Sequence, residues 1–113
     1  MKAIIAYIKP HKLESVTLAL HHVEGLSGVS VSDIRGFGRG RGVGVAQTIK
    51  EGPADFIPHV RLEIVCRDAL VEPIVETIRR EAHTGLRGDG KIFVWPVEEA
   101  VRISTGERGE EAV

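Results

Sequence analysis

Near the start of the chain, Ala3-Ile4-Ile5-Ala6-Tyr7-Ile8 forms an apolar run that stops at Lys9-Pro10. It is too short for a signal-peptide core or a membrane-spanning helix. Its length and branched side chains predict a strand. Because successive residues of a strand face opposite ways, this strand is apolar on both faces and must be covered on both. A chain of 113 residues has material for one domain with a modest core. Helices can cover one face. The economical cover for the other is a second copy of the chain.

The remaining pattern supplies those helices. Leu13, Val16, Thr17, Leu20 and Val23 recur at helical spacing, and Gly25 stands where a left-handed residue would close the helix. Val29 to Phe37 reads as a second strand, rich in β-branched residues. Glycine then occupies every second position from Gly36 to Gly44, with Arg39 and Arg41 between. No regular element survives that pattern, so a long loop is expected from Gly38 to about Asp55, of a length that is usually functional. His59 to Arg67 predicts a third strand with Val60, Leu62, Ile64 and Cys66 on one face and Arg61, Glu63 and Arg67 on the other. A second helix follows with Leu70, Val71, Ile74, Val75 and Ile78 as its buried stripe. Pro73 lacks an N–H and belongs in the first turn, which sets the helix start at about Asp68 to Leu70. Lys91 to Pro96 is the fourth strand, and a short strand or turn is expected around Val101 to Ser104. The polar tail from Thr105 to Glu111 is expected to be loose unless a partner orders it. The order βαββαβ predicts an α+β, ferredoxin-like fold: a four-stranded antiparallel sheet with both helices on one face. The other face is too apolar to stay wet, so self-association is expected.

Thr84-Gly85-Leu86-Arg87-Gly88-Asp89-Gly90-Lys91 is the stretch with the most chemistry. Its glycines let the backbone approach a ligand closely. Converging amides with a lysine beside them suit a phosphate, although the spacing is not that of a Walker A loop. An ordinary helix-to-strand turn would carry the same glycines, and the segment alone favours that plainer reading. Elsewhere catalysis finds little support. Ser15, Ser27, Ser30, Ser32 and Ser104 lack a nucleophile's surroundings, and Glu98 and Glu99 diverge. His21 and His22 point about a hundred degrees apart on a helix. The histidines as a set lack ligand spacing, so no metal site is expected. Cys66, the sole cysteine, precludes an intrachain disulfide and sits on a buried strand face. A reducing, cytoplasmic setting follows.

With a net charge of -1, no overall field recruits nucleic acid or an anionic membrane. Arg35-Gly36-Phe37-Gly38 matches the first places of the RNA-recognition signature, in a fold of the same element order. The following places hold Arg39 and Gly42 instead of aromatics, the copy closes the second strand rather than lying on the third, and aromatics make up 4% of the chain. RNA binding is therefore the weaker alternative, and no nucleic-acid partner is expected.

Taken together these segments resemble the PII signal-transduction family, the small trimeric nitrogen-regulatory proteins. Lys2 to Pro10 with Lys12-Leu13 resembles its opening strand and helix start. Arg35 to Arg39 resembles the beginning of its T-loop (38–55 here), and Asp55-Phe56-Ile57-Pro58 with Val60 its end. Thr84 to Val94 resembles its B-loop signature (84–91), and Arg102-Ile103 with Thr105-Gly106-Glu107 its C-terminal loop (102–113). The resemblance spans nearly the whole chain and makes residues 1–113 a single PII-like domain. It implies a homotrimer that binds ATP or ADP, with magnesium as an accompanying ion, in clefts between subunits. Gly88, Asp89, Gly90 and Lys91 would hold the phosphates, joined by Gly36, Gly38 and Arg39 at the T-loop base and by Arg102 of a neighbouring chain. Ser30, Glu63 and Ile64 would lie near adenine and ribose. Arg41 and Arg87 have the simpler alternative of solvated surface charge. Such a protein is not an enzyme. It switches a target protein, a membrane transporter or a metabolic enzyme, through the T-loop, with Arg39 as the candidate coupling residue. Slow ATP hydrolysis in the same cleft is the enzymatic alternative.

This chain departs from the family pattern at places that matter. Gly40 stands where a glutamine helps hold magnesium and 2-oxoglutarate, His59 where a lysine pairs with the 2-oxoglutarate carboxylate, and Ser104 where a second arginine is found. These departures speak against 2-oxoglutarate sensing and toward ADP or another adenine nucleotide. Gly52 replaces the modifiable tyrosine of enteric relatives, which excludes uridylylation of that kind, and Lys50 falls near the serine phosphorylated in others. Thr48 is the sole hydroxyl in the loop.

Overall fold

The computed structural model describes residues 1–36 and 57–113. The expected T-loop, with Phe37, Gly38, Arg39, Gly40, Arg41 and Thr48, lies outside the described residues. Strand β1 (Lys2–Ile8) leads through a 3-10 turn at Pro10–Lys12 into helix α1 (Leu13–Leu20). Strands β2 (Ser30–Gly36) and β3 (Ile57–Cys66) precede helix α2 (Val71–Ala82), and β4 (Gly90–Pro96) completes the sheet. The strand order is β2-β3-β1-β4, antiparallel throughout. This is the expected ferredoxin-like α+β fold.

Side-chain alternation explains how the sheet is covered. Ile4, Ala6 and Ile8 of β1 and Val60, Leu62, Ile64 and Cys66 of β3 face the helices. They pack against Val16 and Leu20 of α1 and Ile74, Ile78 and Ala82 of α2, forming one core. Burial pushes the Cys66 thiol up from its ordinary value, against the pull of the nearby N-terminal amine. The remaining β1 residues look the other way. Ala3 lies between Val65 and Trp95, Ile5 between Glu63 and Phe93, and Tyr7 between Arg61 and Lys91. Tyr7 and Phe93 meet edge to face with ring centroids 6.1 Å apart. These neighbours bury Ala3 and Ile5, yet Phe93 and Trp95 themselves stay 42% and 48% exposed. That apolar part of the open sheet face is the surface expected to take a second copy.

Several element ends differ from expectation, among them β3, which runs Ile57–Cys66 and so begins two residues before His59. Helix α1 ends at Leu20 instead of reaching Val23, because the N–H groups of His22 and Val23 bond to Ala19 and Leu20 in a tighter i→i+3 turn. Gly25 is left-handed as expected (φ 91°), but it closes this turn and lies against Leu70, not at the helix end. Helix α2 proper begins at Val71 after a 3-10 turn at Asp68–Leu70, which still places Pro73 in its first turn. The tail, expected to be loose, forms a 3-10 turn at Gly109–Ala112. Arg67 donates to the Glu110 carbonyl at 3.4 Å and lies 3.8 Å from the Glu111 carboxylate. The amino terminus lies 2.9 Å from Asp68 and 3.9 Å from Glu110. Polarity suggested looseness; the ion pairs to the strand ends were not visible without the fold. Among the described residues no helix is long and apolar enough to cross a membrane.

Candidate functional site

The glycine-rich loop is a built structure, held from inside. Gly85, Gly88 and Gly90 all have positive φ (81°, 80° and 106°), so the chain reverses in a way that L side chains resist. Asp89 is its internal clamp. Its carboxylate accepts the Thr84 N–H at 2.8 Å, the Thr84 hydroxyl and the Gly85 N–H at 3.3 Å. Lys9, just past β1, donates to the Thr84 hydroxyl at 3.1 Å and lies 3.2 Å from the Asp89 carboxylate. Partial burial pushes the Asp89 carboxyl up, but the Thr84 hydrogen bonds, Lys9 and the Gly85 amide outweigh it. The group is held well below the usual carboxylate range. Asp89 was expected among the phosphate ligands; both of its oxygens face inward, onto the loop that would present the amides.

A carboxyl whose folded pKa is depressed adds stability above its unfolded value, and that stability is lost as pH falls. The contribution of Asp89 should be complete above its ordinary value of 3.8 and decline in acid below it. Asp89→Asn should therefore cost about 1–3 kcal/mol at pH 7. It should cost less at pH 3, where wild type has begun to lose the same stabilisation. Urea unfolding at the two pH values checks this, and an equal cost at both would contradict the clamp.

The sheet register divides the expected site residues into two groups. Gly90 pairs with Ile8 and Lys91 with Tyr7, while Ile8 pairs with Val60 and Gly36 with Ile57. Gly36, Gly88, Asp89, Gly90 and Lys91 therefore gather at one end of the sheet, where β2 runs out and β3 begins. Ser30 and Glu63 pair with each other at the far end of β2. Glu63 is bound by Arg61 at 2.9 Å. The Ile64 side chain is buried in the core, which leaves only its backbone for a ligand. Arg102 lies beyond the opposite end of β4, where the Val101–Arg108 bridge closes a short loop. It donates to the Glu111 carbonyl at 3.3 Å and lies 3.7 Å from Glu107. The expected site residues of one chain thus fall at opposite ends of its sheet.

Two residues hold the glycine loop in ways the sequence does not show. Lys9 carried no signal, being one lysine beside a proline. His59 was singled out for the residue it replaces. In the fold it bridges β3 to the glycine loop, with Nε2 3.1 Å from the Gly88 carbonyl oxygen and Nδ1 3.3 Å from that of Ile57. It also lines a groove of about 440 Å³ with Pro10, Asp33, Ile34, Arg35 and Pro58. Among the described residues no cluster of His, Cys, Asp and Glu could hold a metal ion.

Comparison with known proteins gives a consistent result. The family model described as Nitrogen regulatory protein P-II matches residues 1–107. The chain is 51% identical to a nitrogen regulatory protein P-II of Azospirillum brasilense over 113 residues, the whole of both chains. It is 50% identical to that of Rhodospirillum rubrum, again over both full lengths. The crystal structure of Arabidopsis thaliana PII bound to citrate superposes with a TM-score of 0.78 at 39% identity, covering 99% of this chain and 91% of that one.

Proposed function

The chain belongs to the nitrogen regulatory protein P-II family, and from that premise we propose that it is a trimeric adenine-nucleotide sensor working in the cytoplasm. ATP or ADP occupies clefts between subunits, its phosphates on the glycine loop and Lys91, with Arg102 entering from the neighbouring chain. The observation that carries this reading is the separation of the half-sites. The glycine loop with Lys91 and the Ser30–Glu63 pair with Arg102 cannot meet within one chain, whereas subunits joined through their sheet faces could bring them together. The exposed Phe93 and Trp95 supply apolar surface for that association.

The protein is regulatory rather than catalytic. Nucleotide biases the T-loop between conformations by contacting them differently, and the loop then engages or releases a target protein, such as a transporter or a metabolic enzyme. Ser104 and His59 remove two positive groups of fixed charge that the family pattern would supply, so ADP or ATP without 2-oxoglutarate is the expected ligand. Light scattering combined with calorimetry tests this. A mass of three chains and uptake of one ADP or ATP per chain is the expected result. Monomers that ignore millimolar adenine nucleotide would overturn it.

A further inference from the structure

We infer that His59 is a positioning residue of the glycine loop whose protonation draws Gly88 toward the start of β3 and tightens the phosphate site. The inference rests on the nucleotide-binding reading and extends it to regulation. Both ring nitrogens of His59 face carbonyl oxygens, Nε2 that of Gly88 at 3.1 Å and Nδ1 that of Ile57 at 3.3 Å. A neutral imidazole carries one N–H, so one of these oxygens must then face a nitrogen lone pair. The imidazolium donates to both. Two acceptors around one ring thus make the second proton part of the geometry.

The surrounding charges do not compete for the ring. Asp89 follows Gly88, but its carboxylate is occupied by Thr84, Gly85 and Lys9, and His83 Nδ1 lies 3.5 Å from it. Arg61, on the same face of β3, is bound to Glu63. Asp33 and Arg35 of β2 line the groove beside His59 with opposite charges, and Arg87 precedes Gly88. No carboxylate among the described residues bonds to either ring nitrogen. The two carbonyls lie on separate elements. Ile57 opens β3, where the chain leaves the T-loop, and Gly88 lies in the loop assigned to the phosphates. A protonated ring ties those elements together and adds positive charge beside the site.

Two measurements test this. In the free protein, the amide resonance of Asp89, which shares its peptide group with the Gly88 carbonyl, should titrate together with the His59 ring protons, and should still do so in His83→Gln, which removes the imidazole beside the Asp89 carboxylate. Titration of the ring without movement of that amide would overturn the tie, whether or not nucleotide binds. Calorimetry with ADP at pH 6 and pH 8 should then show a wild-type advantage over His59→Gln that grows by roughly tenfold as pH falls, the worth of one charge-assisted contact. The nucleotide's own protonation cancels in that comparison. A constant ratio would overturn the effect on the site, while absence of ADP binding at both pH values would count against the nucleotide reading and leave the amide titration to decide the tie.

Discussion

Replacing Gly90 by alanine should destabilise the protein on the order of 4 kcal/mol or more, at the severe end of single substitutions. A Cβ built on Gly90 falls 1.6 Å from the Tyr7 carbonyl oxygen and 2.7 Å from its carbon. Both are backbone atoms of the central strand. No rotamer change relieves the clash, so β4 must separate from β1 where Gly90 pairs with Ile8, or its left-handed backbone must be abandoned. Gly88 provides the control. It shares the positive φ, but the nearest obstacle to its Cβ is the flexible end of Lys9 at 3.8 Å, so alanine there should cost only about 1–2 kcal/mol. Thermal or urea unfolding ranks the two. Equal costs would mean that the approach of β4 to β1 is not what requires glycine.

The second large effect is on the ligand. Lys91 is the exposed second residue of β4 and makes no ion pair among the described residues, so Lys91→Ala should leave stability nearly unchanged. ADP affinity should nevertheless fall roughly ten- to a hundredfold, the worth of a charged hydrogen bond to phosphate. Arg102→Ala should cause a loss of similar size through a different chain. Mixing the two variants so that trimers contain both should restore some clefts with intact partners, because the proposed cleft takes Lys91 from one subunit and Arg102 from the next. Titration of ADP into each variant and into the mixture measures this. Undiminished affinity in Lys91→Ala would remove the lysine from the site.

The fold was legible because its signals are local. The doubly apolar β1, the helical spacing of Ile74 and Ile78, and the alternation of Val60, Leu62 and Ile64 are each written in short stretches of chain, and the structure buries all of these side chains but Lys2 and Tyr7 of β1. The family resemblance was legible for the same reason, in segments such as Arg35 to Gly38 and Thr84 to Lys91. The interior of the site was not. Asp89 reads as a ligand in a loop of glycines, and only the reversal of the chain turns its carboxylate onto Thr84 and Lys9. His59 meets Gly88 across a distance of 29 positions, which no periodicity encodes. The ordered tail was missed because Arg67, the amino terminus and Glu110 come together only once β3 and β1 are paired.

The most direct test of the central claim is to follow backbone amide resonances while adding ADP and, separately, adenosine. The account predicts that the amides of Gly88, Gly90 and Lys91 move strongly with ADP and little with adenosine, because the loop holds phosphate rather than base. ADP binding that leaves those amides in place would contradict it.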